Sequence, residues 1–320
     1  MINKDILVIY PETFSTQIAL YKGSSLLFLK NVKHDPDTLK SLQVPAKKLE
    51  FRTSEVMREL KENDAVFEDI AIVVGRGGLL KPLKTGVYEV NQKMVEDLAN
   101  GTMGWHHTNL GGLIAYEVAK QTGAKAILAD PVSVDELDDI ARVSGHPLIE
   151  RRSVFHSLSQ KFFARKYAKA HHKKYEEVNL IMATIGMGGI SVAAHRKGCV
   201  VDVNNAYDGD GPFSVKRSGS LPVGDLLRMA FSGNYTEEEM FRMISKEGGY
   251  AAYLGTGDIN AIDALMEQGD EKALFISDAC AYQVSKEIGA MYAVLEGEVD
   301  AIILTGNIFH SERFLANVQR

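Results

Sequence analysis

The stretch "VIYPETFSTQIALYKG", residues 8–23, predicts how the fold begins. It reads as an apolar strand, a turn of small residues, a second strand and a Lys-Gly turn. A turn that binds phosphate needs backbone N–H groups that converge on one point, usually with glycine and a cation or amide nearby. Here Tyr10, Glu12 and Phe14 occupy the approach to the turn. The stretch alone therefore leaves open whether the turn still binds a nucleotide.

The same pattern returns in the second half of the chain. Residues 178–203, "VNLIMATIGMGGISVAAHRKGCVVDV", again give a strand, a Gly-rich turn, a strand, a Lys-Gly turn and a third strand. When the two Lys-Gly turns are aligned, Thr16 falls on Ser191. A repeated pattern indicates duplication, although two hairpins can also resemble each other by chance.

Between and after the hairpins, helical and strand patterns alternate, which predicts α/β layers. Helices are expected at residues 91–98, 113–121 and 272–295, and strands within "EDIAIVVGRGG", "AKAILADPV" and "VDAIILTGN". The segment "SGHPLIERRS" suits a boundary between two domains, residues 1–150 and 151–320.

Composition excludes several classes of protein. The 320 residues contain 36 basic and 42 acidic side chains, a net charge of −6, which argues against a nucleic-acid partner. Only Cys199 and Cys280 are present, too few for a disulfide framework, so a reducing compartment is expected. The first residues do not suit a signal peptide, and no apolar run approaches the roughly 20 residues of a membrane span. The sequence predicts a cytoplasmic protein without membrane contact.

Several long strings carry a specific resemblance: "VVGRGGLLKP", "NLGGLIAYEVAK", "VVDVNNAYDGDGPFSVKRSGSLPVGDLL" and "AYQVSKEIGAMYAVLEGEVDAIILTGNI". They resemble butyrate kinases, of the acetokinase family and the acetate/sugar kinase, heat-shock ATPase and actin superfamily, over the whole chain. The resemblance implies an α/β fold of two duplicated ribonuclease H-like domains with an interdomain nucleotide cleft. It also implies a homodimer or higher homo-oligomer, formed through the second domain.

The resemblance implies a reversible phosphotransferase reaction. The γ-phosphoryl group of ATP passes to a short-chain carboxylate such as butyrate, or that of an acyl phosphate passes to ADP, with Mg²⁺. A carboxylate is ionised at neutral pH, so the reaction needs no general base. The difficulty is that two anions must meet, and cations and positioning overcome it.

Two arginines are the first candidates for this task. Arg76 follows the apolar strand "IAIVV" among glycines, at the carboxyl end where α/β sites are built. Arg217 lies in "VKRSGSLP". The resemblance implies that they clamp the transferred group from opposite sides and that Arg76 also binds the substrate; taken alone, each is equally compatible with a solvated loop arginine.

Three further candidates lie in the first half. Asp130 ends the strand "AKAILAD" before Pro131, where it suits either a turn or a Mg²⁺ held through water. The resemblance places His106 near the transferring phosphoryl group and Asn109 at the substrate. It gives no such support to His107, which we expect to pack or face solvent.

The resemblance also implies which residues bind the nucleotide. Two turns would hold its phosphates and a third its adenosine. The predicted contacts are Ser15 and Thr16 in the first turn, Gly186, Gly188 and Gly189 in the second, and Gly306 and Asn307 in the third.

The chain departs from the family at these same turns. The usual first turn is Asn-Pro-Gly-Ser-Thr-Ser-Thr-Lys, and here Tyr10, Glu12 and Gln17 replace its Asn, Gly and Lys. The second turn has Thr184 in place of the usual His. Two hypotheses follow: an active butyrate kinase with a modified first turn, or a catalytically impaired member that serves as structural or regulatory partner of an active kinase subunit.

Overall fold

The computed structural model describes residues 4–42, 44–186, 188–306 and 312–320. The chain forms two compact units, Met1–Val134 and Asp135–Arg320, called unit 1 and unit 2 below. Among the helices of the described ranges, none combines the length and apolarity needed to cross a lipid bilayer.

Unit 1 is built on a six-stranded sheet in the order β3-β2-β1-β4-β6-β5. Its strands are β1 Asp5–Pro11, β2 Ser15–Lys22, β3 Ser25–Lys33, β4 Ile70–Gly75, β5 Val87–Glu89 and β6 Lys125–Ala129. Its helices are α1 Pro36–Ser41, α2 Pro45–Glu62, α3 Gln92–Asn100 and α4 Asn109–Thr122. The three central strands β1, β4 and β6 run parallel. Their carboxyl ends therefore lie at one edge of the sheet.

Unit 2 contains a four-stranded sheet in the order β10-β7-β8-β9. Its strands are β7 Asn179–Gly186, β8 Gly189–Arg196, β9 Cys199–Val203 and β10 Ala301–Gly306. Its helices are α5 Asp139–Arg142, α6 Ser157–Ala170, α7 Val223–Ala230, α8 Glu237–Ser245, α9 Gly249–Leu254, α10 Ile259–Glu267, α11 Glu271–Val294 and α12 Glu312–Gln319. Strands β7 and β10 are parallel, so their carboxyl ends also meet.

The two sheets share one plan, which confirms the predicted α/β fold. In unit 1 the antiparallel strands β1, β2 and β3 are followed by β4, parallel to β1. In unit 2 the antiparallel strands β7, β8 and β9 are followed in the sheet by β10, parallel to β7. Thr16 and Ser191, aligned by the sequence, take equivalent places in the second strand, and both are fully buried.

Successive side chains of a strand point to opposite faces of the sheet, where they pack against different helices. In unit 2, Leu180 and Met182 of β7 pack in one cluster with Ala164 of α6. Ile181 of the same strand packs in another cluster with Ala281 of α11. Strand β7 is therefore buried on both faces, which explains its continuous apolar sequence.

The segment after Val134 is hydrogen-bonded within unit 2. The Asp138 N–H donates to the Val201 carbonyl over 3.0 Å, and Arg196 donates to the Asp138 carboxylate over 2.8 Å. These bonds hold the segment against β9 and β8. The boundary between the two compact units, after Val134, therefore comes before residue 150. The domain limits 1–150 and 151–320 stay a prediction.

Candidate active site

The first part of the candidate site is the carboxyl edge of the unit 1 sheet. Strand β1 leads into the turn at Glu12, β4 into Arg76, and β6 into Asp130. These are neighbouring parallel strands, with Ile9 of β1 opposite Gly75 of β4. Ligands of open α/β sheets bind beyond such ends, so the topology brings the three segments to one place.

The guanidinium group of Arg76 lies on an aromatic ring. Its Cζ is 3.9 Å from the centroid of the Tyr10 ring, a cation–π contact. Burial raises the pKa of the Tyr10 hydroxyl, an effect that the Arg76 guanidinium opposes and the Glu12 carboxylate reinforces. Within the described ranges no carboxylate or carbonyl accepts a hydrogen bond from the Arg76 guanidinium. This half-buried cation is therefore oriented by Tyr10 and open to an anion.

Glycines let the end of β4 approach the start of α4. A Cβ on Gly111 would lie 2.0 Å from the Arg76 carbonyl oxygen, and one on Gly75 would lie 2.2 Å from the Gly111 carbonyl oxygen. No real Cβ fits at such distances. The glycines in "VVGRGG" and "NLGG" thus fix the backbone of Arg76 against α4.

Asn109 and His106 lie beside this contact. Asn109 is fully buried: its Oδ1 accepts the Leu79 N–H over 2.9 Å, and its Nδ2 donates to the carbonyls of Leu98 and Gly104. Its described bonds hold the loop after Arg76 to α4, and its contact with the substrate stays a prediction. His106 is half-buried, with Nδ1 2.9 Å from the Thr108 hydroxyl.

Asp130 is buried directly after β6. Its Oδ1 accepts the Thr85 hydroxyl over 2.6 Å and the Gly86 N–H over 2.9 Å. Its φ of 38° is unusual for a residue with a side chain and marks a sharp turn of the backbone. Across the described ranges no three His, Cys, Asp or Glu side chains cluster as a metal site. As a carboxylate, Asp130 suits a Mg²⁺ that keeps its waters and is held through one of them.

The first turn is packed on buried polar side chains. The Ser15 hydroxyl donates to the Glu12 carboxylate over 2.6 Å. The Thr16 hydroxyl is 2.8 Å from His34 Nε2 and accepts a hydrogen bond from Arg52 over 2.9 Å. Both predicted nucleotide contacts thus use their hydroxyls within the protein, and their role toward the nucleotide stays a prediction.

In unit 2 the second and third turns are neighbours. Gly306 ends β10 with a φ of 119°, and a Cβ there would lie 2.0 Å from the Ile185 carbonyl oxygen. The Thr184 and Thr305 hydroxyls are 2.9 Å apart. The third turn therefore begins directly against the second. The predicted contact Asn307 lies outside the described residues.

The glycines of the second turn are approached by a histidine and an arginine. A Cβ on Gly186 would lie 3.1 Å from His156 Nε2, and His156 Nδ1 is 2.8 Å from the Ser191 hydroxyl. Arg217 Nε donates to the Gly188 carbonyl over 2.9 Å. Gly189 begins β8 directly after. The structure thus brings Arg217 to the predicted second turn.

Arg217 is more firmly held than Arg76. Its Nη1 donates to the Tyr207 carbonyl over 2.5 Å, and its Cζ is 4.8 Å from the Tyr207 ring centroid. Burial lowers the pKa of the Arg217 guanidinium, an effect that the Tyr207 and Asp208 side chains oppose. Its Nη2 has no acceptor in the part of the chain that the structure describes. That nitrogen is available to a bound phosphate.

Three residues that contact these turns are not predicted from the sequence. Arg52 shares the buried face of α2 with Val56 and Leu60, and the spacing of four along "RTSEVMREL" places it on that face without indicating what it binds. His34 gives no signal beyond its place after β3. His156 precedes α6 in "VFHSLSQ" and reaches the second turn through the tertiary fold alone.

Solved structures define the class of protein first. An acetate kinase from Porphyromonas gingivalis matches 98% of this chain and 86% of its own, with a TM-score of 0.76 and 17% identity. A propionate kinase from Francisella tularensis matches 98% of this chain and 87% of its own, with a TM-score of 0.74 and 18% identity. The fold is the two-unit α/β fold of these kinases.

Sequence comparison then identifies the family. Residues 142–316 match the acetokinase family. The chain is 46% identical to Butyrate kinase 1 of Clostridium acetobutylicum over 307 residues, 96% of this chain and 86% of that one. It is 45% identical to a probable butyrate kinase of Listeria monocytogenes over 314 residues, 98% of this chain and 88% of that one. The chain belongs to the acetokinase family.

Proposed function

We propose that the protein is a carboxylate kinase that phosphorylates butyrate or another short-chain carboxylate with Mg-ATP, and that the reaction also runs from acyl phosphate to ADP. The observation that carries the proposal is the 46% identity to Butyrate kinase 1 over nearly the whole chain.

Arg76 supports the proposal through its geometry. A guanidinium group presents two parallel N–H donors that match the two oxygens of a carboxylate or phosphoryl group. The Tyr10 ring covers one face of this guanidinium at 3.9 Å and leaves its edge for an anion. Arg76 is therefore the proposed substrate-binding and catalytic residue of unit 1.

The reaction forms one bond and breaks one. A carboxylate oxygen attacks the γ-phosphorus, and the bond from that phosphorus to the β,γ-bridging oxygen breaks, with its electron pair leaving on ADP. The substrate is already ionised, so no protein group takes a proton from it. Negative charge spreads over the transferring phosphoryl oxygens, and the Arg76 and Arg217 guanidinium groups stabilise it.

Two other residues take supporting roles in the proposal. Asp130 would hold Mg²⁺ through water, and the ion would supply charge neutralisation of the nucleotide phosphates. His106, oriented by the Thr108 hydroxyl at 2.9 Å, would donate a hydrogen bond to the transferring group. The nucleotide would lie on the second turn, Gly186 to Gly189, and on the third turn at Gly306 and Asn307.

We further propose that the protein acts in the cytoplasm as a homodimer or higher homo-oligomer. The net charge of −6 and the two cysteines suit that compartment.

Hydroxylamine trapping tests the proposed reaction. Purified protein, Mg-ATP and butyrate are incubated with hydroxylamine, whose nitrogen attacks the acyl carbon of the acyl phosphate and releases phosphate. Hydroxamate that requires both ATP and butyrate supports the kinase. A folded protein that yields no hydroxamate from C2 to C6 carboxylates refutes it and favours the impaired, structural partner.

A further inference from the structure

Arg52 is buried beneath the first turn. Its side chain comes from α2, and the residue is 2% exposed. Nη1 donates to the Ser15 carbonyl over 2.6 Å, and Nη2 donates to the carbonyls of Glu12 and Thr13 over 2.8 and 2.9 Å. One guanidinium group therefore binds three carbonyls of a single tight turn.

These bonds fix the direction of two peptide groups. The described chain has no cis peptide bonds, and in a trans peptide the N–H points opposite to the C=O. The Glu12 and Thr13 carbonyls point at Arg52, so the N–H groups of Thr13 and Phe14 point away from it. Both residues are exposed, and among the described ranges neither N–H donates a hydrogen bond to the backbone. Successive outward N–H groups are the donors with which backbone turns bind anions.

The guanidinium charge below adds to this arrangement. Burial lowers the pKa of Arg52 to about 10, while the Glu12 carboxylate raises it, so the group stays protonated at neutral pH. The Glu12 carboxylate is itself held by the Ser15 hydroxyl at 2.6 Å and more loosely by Gln17 at 3.4 Å. A cation thus lies behind the two amides although the turn lacks the usual lysine.

Unit 2 has a related, uncharged contact, made to the strands behind the second turn. Gln160 of α6 donates to the Ser191 carbonyl and hydroxyl, both over 3.1 Å. Thr16 and Ser191 occupy equivalent places, and each is bonded to a histidine at 2.8 Å and to one helix side chain. A helix side chain that fastens the strand behind the turn is thus a shared feature of both units.

We propose that Arg52 is a positioning residue, which turns the Thr13 and Phe14 amides outward to bind a nucleotide phosphate. That the ligand is a nucleotide rests on the proposed function, whereas the outward direction of the two N–H groups rests on the hydrogen bonds of Arg52. By this account the first turn binds phosphate although Glu12 replaces the usual glycine. Arg52 fixes the backbone conformation that a glycine at this position would otherwise permit.

Arg52→Lys tests this role while keeping the charge. A lysine has no planar fork and cannot bind three carbonyls in this geometry. We expect calorimetry to show at least tenfold weaker binding of Mg-ADP and of inorganic tripolyphosphate, with KM for the carboxylate changed less than twofold. The matched control is Arg58→Lys, further along α2, where Arg58 is exposed and pairs with Glu55. It should bind both ligands like the unchanged protein.

Phe14→Pro gives a second test that leaves Arg52 in place. Proline removes one of the two outward N–H groups, and Phe14 is 52% exposed, so little packing is lost. We expect tripolyphosphate binding to weaken at least tenfold, and this variant decides the matter if Arg52→Lys does not fold.

Failure of this inference is distinguishable from failure of the proposed function. A protein that binds tripolyphosphate and Mg-ADP through these residues but phosphorylates no carboxylate upholds the inference and refutes the kinase. The inference is overturned if the unchanged protein binds neither ligand, or if folded Arg52→Lys or Phe14→Pro binds both as tightly as it does.

Discussion

Arg76 and Arg217 have related surroundings, each on a tyrosine ring beside a glycine turn of its own unit. They differ in how they are held. Arg217 donates to two carbonyls of unit 2, whereas the Arg76 guanidinium has no protein acceptor among the described residues. Arg76 can therefore take two oxygens of a ligand, while Arg217 offers chiefly its Nη2. The difference predicts that Arg76 contributes more to carboxylate binding and Arg217 more to the phosphoryl group.

Replacing either arginine by alanine should lower kcat/KM by at least about 100-fold, because in the proposed mechanism each arginine stabilises charge that develops in the transition state. Arg76→Ala should also raise KM for the carboxylate more than Arg217→Ala does. Steady-state kinetics with hydroxamate detection measures both effects.

The control for this pair is Arg58→Ala, which removes an exposed arginine of α2 that pairs with Glu55. Its kinetics should match those of the unchanged protein. An active enzyme that tolerates both Arg76→Ala and Arg217→Ala would show that the arginines were wrongly assigned.

At the scale of elements, the contact between β4 and α4 determines the position of the Arg76 backbone. Gly111→Ala would place a Cβ 2.0 Å from the Arg76 carbonyl oxygen, which only a backbone shift can relieve. We expect it to lower the free energy of unfolding by about 1–3 kcal/mol, as overpacked sites do, and to reduce activity by moving Arg76. Denaturant unfolding and kinetics of the same preparation measure the two effects.

Gly289→Ala is the matched control, since Gly289 is also helical and a Cβ there would meet nothing within 4 Å. It should leave activity unchanged and stabilise the protein slightly, by up to about 1 kcal/mol, through helix propensity. Equal stability changes in the two variants would contradict the close contact.

Several of these elements could be predicted from the sequence, and some of their contacts could not. The two hairpins, the strand before Arg76 and the helix at residues 272–295 follow from apolar period and Gly signals, and all are present. The role of Arg52 does not follow, because three carbonyls of the first turn converge on it only after α2 packs beneath the sheet. His156 is likewise brought to the second turn by tertiary packing, which leaves no local pattern.

For the molecule as a whole, two buried histidines predict sensitivity to acid. Burial lowers the pKa of His195 to about 3, helped by Lys161, and that of His34 to about 4, helped by Arg52. The unfolded chain binds these protons near pH 6.5, so the stability is fully present above that pH and is lost as the pH falls toward the folded values. Each histidine should lower the free energy of unfolding of its own unit by about 2 kcal/mol between pH 7 and pH 5.

Urea unfolding followed by circular dichroism at the two pH values measures this loss. His195→Gln removes one titrating group while keeping a polar side chain between Tyr175 and Gln160. Its stability at pH 7 should be lower, but the difference between pH 7 and pH 5 should shrink. An unchanged difference would mean that acid acts elsewhere.

Unit 2 also carries exposed apolar side chains on and around α7. Val223 is 69% exposed, Leu227 52% and Phe231 86%, and α7 buries none of its residues. We expect a second copy of the chain to cover these apolar side chains. Light scattering at micromolar concentration should give at least twice the chain mass of 35.2 kDa, and Leu227→Glu should shift the protein toward a monomer. A monomeric unchanged protein would contradict the proposed dimer.

The most direct test of the central claim is ATP formation from butyryl phosphate and ADP. Purified protein, Mg²⁺ and both substrates are combined, and ATP is read by luciferase light, with Arg76→Ala as the matched variant. The proposed carboxylate kinase predicts ATP that depends on both substrates and falls at least about 100-fold in Arg76→Ala. A folded protein that binds Mg-ADP yet forms no ATP from butyryl phosphate or other short-chain acyl phosphates would contradict it.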